Sequence, residues 1–413
     1  MTNFDVTSTR LGRRAVQLRS LFSEGGLRPL TQRVARRAYR ATGAQALDLQ
    51  LQLGDVCNPP AEWPQPRRRP DPGQPLTIGW VCSPPSAGSG GHTTMFRMVR
   101  ALEDAGHHCV IYLYEPGGTQ AAFHEKTIRS AWPWIRADVS DTETSMHICD
   151  AIIATSWQSA HVLGSRSCEI ETRRMYFIQD YEPYFVPRGS QYSLAESTYR
   201  LGFHNIALGP MVREHVKSCG PHSMVDFSCD TEVYKLKNRG TRKGVVCYAR
   251  LDTPRRGTEL AALALSIFHR AHPDQPIHVF GDTFPEASFP FTHHGRMPPA
   301  DLADLYNSCI AGLALSFTNI SLIVEEMLAC GAIPVANDYA PNRPIVPSGS
   351  IKWADATPRA LADALSSAVS TTGPEGAEQA AKSVRTDNWA TTQSEFVRIV
   401  QAEVYGRARA ESR

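Results

Sequence analysis

The 413-residue sequence has no Cys-x-x-Cys pair, no marked excess of charge of either sign, and no apolar run close to the ~18 residues of a membrane-crossing helix. Its ten cysteines stand singly, at 57, 82, 109, 149, 168, 219, 229, 247, 309 and 330. Such spacing suggests neither a zinc site nor a disulfide framework and fits small buried thiols in a reducing compartment. A net charge of +2 with 20% charged residues argues against a nucleic-acid binder and against a disordered tail protein. The N-terminus lacks the apolar block of a signal peptide. The expectation is a cytoplasmic protein, soluble or peripheral at the inner face of the cell membrane.

Local charge is less even. Residues 1–40 hold Arg10, Arg13, Arg14, Arg19, Arg28, Arg33, Arg36, Arg37 and Arg40 against Asp5 and Glu24, with apolar residues between them. Two readings stay open: an arm that contacts anionic lipid, or a solvated helix packed on the rest of the protein. The following "NPPAEWPQPRRRPDPGQP" (58–75) is too rich in proline for helix or central strand and reads as a linker.

From residue 76 the pattern is strand, helix, strand. "LTIGWVCSPP" (76–85) is an apolar run stopped by prolines, followed by the glycine-rich "SAGSGGHTT" (86–94), a helix with apolar residues at Met95, Met98, Val99 and Leu102, and a second strand. Further strands are expected at 151–154, 175–178 and 205–208. The series restarts with "GVVCYARL" (244–251) and runs through a helix at 258–271, a strand at 277–281, a helix at 300–308, a strand at 311–316, a helix at 320–330 and a strand at 332–337. Two such series predict two doubly wound α/β domains facing one another, with the ligand at the carboxyl ends of the strands. The expected division is 1–75 extension and linker, 76–238 first domain, 239–390 second domain, and 391–413 C-terminal helix and tail.

Inside the second series, "FTNISLIVEEMLACGAIPVAND" (317–338) sets two adjacent glutamates in an apolar run. A buried carboxylate has to be paired, hydrogen-bonded or used on a ligand. "EMLACGAIPV" (326–335) resembles the Glu-Ala-Met-Ala-x-Gly-x-Pro-Val signature of family 4 retaining glycosyltransferases, which have the GT-B fold: two Rossmann-like domains around a central cleft. The resemblance implies that Glu326 binds the ribose of a nucleotide-sugar donor. Glu325, one residue away, should face elsewhere, toward a salt bridge or solvent. Where the family usually has a further glutamate on the donor sugar, this chain has Thr318, Asn319 and, two positions on, Ser321. Thr-Asn-x-Ser is similar to the WsaF-like rhamnosyltransferase branch.

"YARLDTPRRG" (248–257) resembles the family's phosphate loop, which implies that Arg250 and Arg256, with Arg255 in reserve, neutralise the donor diphosphate. Surface salt bridges are the alternative. "YFIQDYEPYFVPRGSQYSLAESTYRLGF" (176–203) resembles the WsaF-like first domain. Gln179 and Asp180 there replace the family's His-Asp, so proton transfer through a histidine is not expected at this position; Asp180 either holds the acceptor hydroxyl or caps a turn. Gly90, Gly91 and His92 form a candidate phosphate or acceptor loop, and Gly281 closes a strand at the donor site. With no Asp-x-Asp in the sequence, no metal and no cofactor are expected. The function implied is transfer of a sugar, rhamnose from a thymidine diphosphate donor first among candidates, to a cell-surface polysaccharide or lipid-linked glycan, retaining and metal-independent. The rivals are a sugar-nucleotide epimerase or hydrolase on the same fold and a catalytically silent nucleotide-sugar-binding scaffold.

Overall fold

The structure, a computed structural model, describes residues 51–116, 120–144, 146, 148–284, 287–320, 322–344, 346, 349–384 and 388–406. The basic arm at 1–40 and Ser321 lie outside them. The chain divides into Met1–Gln52 and a compact unit, Leu53–Arg413, that holds both sheets.

The first sheet comprises β1 (Thr77–Cys82), β2 (His108–Leu113), β3 (Asp138–Asp141), β4 (Ala151–Ala154), β5 (Arg173–Ile178), β6 (His204–Leu208) and β7 (His222–Val225), in the order β3-β2-β1-β4-β5-β6-β7. The second comprises β8 (Val245–Ala249), β9 (Ile277–Gly281), β10 (Thr292–His293), β11 (Ala311–Leu313), β12 (Ile333–Asn337) and β13 (Lys352–Ala354), in the order β10-β9-β8-β11-β12-β13. Every pairing is parallel, Ile78 lying beside Cys109 on one side and Ala151 on the other, and Val246 beside His278 and Gly312. Sheets of this kind need a crossover for each strand, and helices supply most of them. These are α1 (Gly90–Asp104), α2 (Ala121–Ala131), α3 (Trp157–Arg166), α4 (Ser190–Thr198), α5 (Pro210–Val216), α6 (Thr258–Ala271), α7 (Pro299–Ser308), α8 (Ile323–Ala329) and α9 (Pro358–Thr371), followed by α10 (Pro374–Lys382) and α11 (Trp389–Tyr405). Strand order reverses direction around β1 and around β8, so each sheet has a switch point where its loops splay apart.

Burial explains why the central strands are largely apolar: covered by helices on both faces, β4 and β6 expose no residue, although β6 opens with the buried His204 and Asn205. The last helix returns to the first sheet. Its buried residues Trp389, Thr392, Phe396, Ile399, Val400 and Val404 form one stripe, and the Phe396 ring lies 5.7 Å from Trp80 and 5.3 Å from Phe177. Asn388 caps it by accepting the Ala390 N–H at 3.0 Å. The helix expected within the C-terminal helix and tail runs from Trp389 to Tyr405 and is a core helix of the first sheet.

The proline-rich stretch is also more than a connector. Trp63 Nε1 donates to Leu201 O at 2.6 Å, and the Arg174 guanidinium sits 4.5 Å above the Trp63 ring. Just upstream, Asp55 accepts from Tyr114 Oη (2.8 Å) and Arg166 Nε (3.1 Å), and Cys57 N donates to His161 Nδ1 at 3.2 Å. Residues 53–64 therefore strap the helices of the first sheet by side-chain anchors, which suits a segment whose prolines cannot donate to a ladder.

Candidate functional site

The carboxyl ends of the two sheets enclose a cavity of about 660 Å³. On the first-sheet side it is lined by the loop after β1 and the start of α1, by residues after β4, and by Gln179, Asp180 and Glu182 after β5. Ser89 caps α1, its Oγ accepting the His92 N–H at 3.4 Å and lying 2.8 Å from His92 Nδ1. His92 Nε2 reaches Ser83 O at 3.2 Å, so the imidazole braces its own loop, and burial holds its pKa below the ordinary value. Gly90 and Gly91 line the cavity with their backbone at the helix N-terminus. Gln179 Nε2 donates to Gly91 O at 2.9 Å, so Gln179 braces the glycine loop.

The second-sheet side carries the positive charge. Arg250, Arg255 and Arg256 all line the cavity after β8, joined by Arg296. Arg250 keeps a loose contact with Asp282 at 3.9 Å, and its N–H is fixed by Thr258 Oγ1 at 2.8 Å. Arg256 Nη1 donates to Ser316 Oγ at 3.2 Å. Arg255 lies flat on Phe185 of the first half, 3.8 Å from the ring centroid, with Nε 3.9 Å from Asp180 Oδ2. Burial, with Arg256 beside it, lowers the Arg255 pKa.

Glu326 stands in the first turn of α8 and lines the cavity. Burial, aided by Glu325 and Asp230, pushes its carboxyl up to about 8. Glu325 is 4% exposed, which corrects the solvent half of the expectation of a salt bridge or solvent: α8 packs into the second half on that face. The glycine of the motif, Gly331, follows the C-cap with φ +80°, and a Cβ there would come within 2.8 Å of Leu236 and 2.9 Å of Arg242. Only glycine fits that left-handed, crowded position. Gly281 combines φ +87° with a Cβ position 2.4 Å from Ala249 O; it lines the cavity because the backbone itself comes close.

Between these walls lies a junction that differs from the expected donor contacts. Thr318, fully buried, donates its hydroxyl to Asp180 Oδ2 at 2.7 Å and does not line the cavity. The Asn319 N–H donates to Asp180 Oδ1 at 2.9 Å, and Asn319 Nδ2 donates to Gln179 O (3.0 Å) and Leu208 O (3.1 Å). Both oxygens of Asp180 are thereby occupied by the second half, so it is a tether between the halves. Burial raises the Asp180 pKa, opposed by the Asn319 and Thr318 bonds and by Arg256 and Arg255. Thr318 is thus corrected from a sugar contact to a tether residue; Asn319 does both, lining the cavity as it bridges.

Sequence reasoning passed over Glu182, Arg296 and the Tyr248–Phe280 ring pair, stacked with centroids 5.0 Å apart in the cavity wall. Glu182 was legible only as the second acid in "QDYEP".

Two doubly wound parallel sheets opposed across a cleft, with arginines on one wall and a helix-borne carboxylate behind them, define the GT-B class. The WsaF N-terminal domain matches residues 135–209 and the WsaF C-terminal domain residues 243–366, together just under half of the chain. Among curated proteins it is similar to the O-antigen biosynthesis protein RfbC of Myxococcus xanthus, 34% identical over 237 residues. That match covers 54% of this chain and 18% of the relative, so the chain spans under a fifth of RfbC. Among solved structures, sucrose-phosphate synthase of Thermosynechococcus elongatus has a TM-score of 0.62 at 12% identity, over 80% of this chain and all of that one. HepE of Anabaena, in complex with UDP and glucose, has a TM-score of 0.61 at 14% identity, over 79% of this chain and 100% of its own. At such identities the likeness establishes the fold alone.

Proposed function

We propose that the chain transfers a sugar from a nucleoside diphosphate to a hydroxyl of a cell-surface polysaccharide or lipid-linked glycan, with retention and without a metal ion. The donor we favour is thymidine diphosphate-rhamnose, by resemblance to the WsaF-like branch. The observation that carries the reading is the cleft itself: Arg250, Arg255, Arg256 and Arg296 line one wall, and Glu326 lines the same cavity.

The chemistry follows from those side chains. A carboxylate accepts two ribose hydroxyls, which places the nucleoside at Glu326. The guanidinium groups then face the diphosphate, where negative charge grows as the bond between the sugar C1 and the phosphate oxygen breaks. Guanidinium stabilises that charge by paired N–H donors already in place on one wall. The departing diphosphate takes the acceptor proton while the acceptor oxygen bonds to C1. Asp180 and Gln179 contribute by holding the walls at a fixed separation.

The RfbC match is to a protein named for O-antigen biosynthesis, which supports a surface-glycan acceptor. No helix of the described residues is long and apolar enough to cross a membrane. Contact of the 1–40 arm with anionic lipid, at the inner face of the cell membrane, is part of the proposal.

A thermal-shift titration with thymidine, uridine and guanosine diphosphates and their sugar conjugates, in the presence of EDTA, tests the reading. Ligand that binds only folded protein raises its apparent stability. We expect one nucleotide class to stabilise wild type and to lose that effect in Glu326→Ala. Absence of a shift with every nucleotide would overturn the donor cleft.

A further inference from the structure

Of the acidic side chains on the first-sheet wall of the cavity, Asp180 has both oxygens taken by the tether. Glu182 does not. It sits on the turn Glu182–Phe185 directly after β5 and lines the cavity while only 8% exposed. Its Oε2 accepts two donors, the Trp157 N–H at the start of α3 and Tyr176 Oη at 2.8 Å. Its own N–H donates to Tyr199 Oη at 3.0 Å, and Tyr199 stacks on Tyr176 with centroids 5.7 Å apart. Among the described residues no donor reaches Oε1.

The neighbouring hydroxyls are committed elsewhere. Thr155 donates to Val81 O at 2.9 Å, and Ser156 caps α3. A buried carboxylate fixed through one oxygen and facing a ligand cavity with the other is a strong, oriented acceptor for O–H.

We propose that Glu182 is the residue that orients the acceptor sugar, Oε1 receiving one of its hydroxyl protons in a hydrogen bond. The role rests on the transferase reading above and adds to it the wall that recognises the acceptor. Sugar hydroxyls satisfy Oε1 in the complex; a phosphate or carboxylate at the same place would be repelled, so this subsite takes a neutral sugar ring. Burial, with Asp180 nearby, raises the Glu182 carboxyl to about 7 against its two donors, so the carboxylate acceptor is the form above that pH.

Glu182→Gln separates this role from a structural one. The amide oxygen still accepts from Trp157 and Tyr176, while the NH2 group takes the place of Oε1 and turns an acceptor into a donor. Two affinities are measured by calorimetry on wild type and variant: that of whichever of thymidine, uridine or guanosine diphosphate binds, and, with the diphosphate saturating, that of methyl glycosides of rhamnose, galactose, mannose and glucose. The expected result is an unchanged diphosphate affinity and melting temperature with glycoside binding weakened at least about tenfold, the scale of a lost charge-assisted bond. Equal glycoside affinity in both proteins overturns the proposal, as does a wild type that binds diphosphate and no glycoside. A wild type that binds no diphosphate instead sinks the transferase reading, and this role with it.

Discussion

Glu326 makes the pH response of the free protein predictable. Its carboxyl is raised from 4.5 to about 8, so between those values the folded protein holds a proton that the unfolded chain has released. The associated stability is full below about pH 4.5 and is lost as pH rises through 8. Glu326→Gln should therefore melt at the wild-type temperature at pH 5 and several degrees higher at pH 8.5, each kcal/mol being worth about 2 °C in a unit this large; scanning calorimetry at the two pH values checks it. The arginines separate in a similar way. Arg255 is stacked on Phe185 in the junction, whereas the Arg256 guanidinium hydrogen-bonds Ser316 and lines the cavity. Arg256→Ala should weaken diphosphate binding by about 10- to 100-fold, and Arg255→Ala should act more on stability than on affinity; the opposite ranking in a binding titration would transfer the phosphate role to Arg255. At this scale the sequence exposed Glu326 and the arginines because their chemistry is tied to fixed positions after a strand or on a helix. Thr318 was hidden because its role depends on the Asp180 that the opposite half brings near it, and Glu325 and Glu182 because theirs depend on packing within their own halves that no local pattern announces.

The element that decides the geometry of the cleft is the loop at 317–320. It reaches from the second sheet to the ends of β5 and β6 and exchanges four hydrogen bonds with Asp180, Gln179 and Leu208. Asp180→Ala would leave the Thr318 hydroxyl and the Asn319 N–H buried without acceptors, at a cost of about 2–4 kcal/mol. Asn319→Ala should leave the Gln179 and Leu208 carbonyls short of one donor each and cost about 1–3 kcal/mol. Urea unfolding measures both, and amide exchange at 317–320 should speed up in both; unchanged exchange would mean the loop is held by other contacts. Elements were legible in proportion to their burial. Central strands such as β4 and β9 begin and end where their apolar runs do. The edge strands β3 ("DVSD"), β10 ("TH") and β13 ("KWA") are short and partly exposed, and they owe their conformation to a neighbour's ladder, which no local pattern announces.

For the whole molecule the governing fact is that the first sheet is finished by α11, from the far end of the sequence. Ending the chain before Trp389 would bare Trp80 and Phe177 and leave a groove where Phe396, Ile399, Val400 and Val404 had been. Losing several such residues at about 1.5–3 kcal/mol each exceeds the stability of an ordinary domain. The truncated chain is expected to aggregate or to bind hydrophobic dyes, and a monomeric, cooperatively melting product would show that the first half stands without the helix. Two facing α/β halves were legible from the repeated strand and helix pattern; the return of the last helix was not, because its amphipathic stripe matches any apolar surface.

That return also sets a schedule for synthesis. A ribosome delivers all of β1 to β7 well before it delivers Trp389, so the nascent first sheet waits with Trp80 and Phe177 uncovered while about 160 further residues are made. Assembly of the cleft is thereby tied to the emergence of Trp389–Tyr405: the walls acquire their final spacing only after that helix has left the exit tunnel.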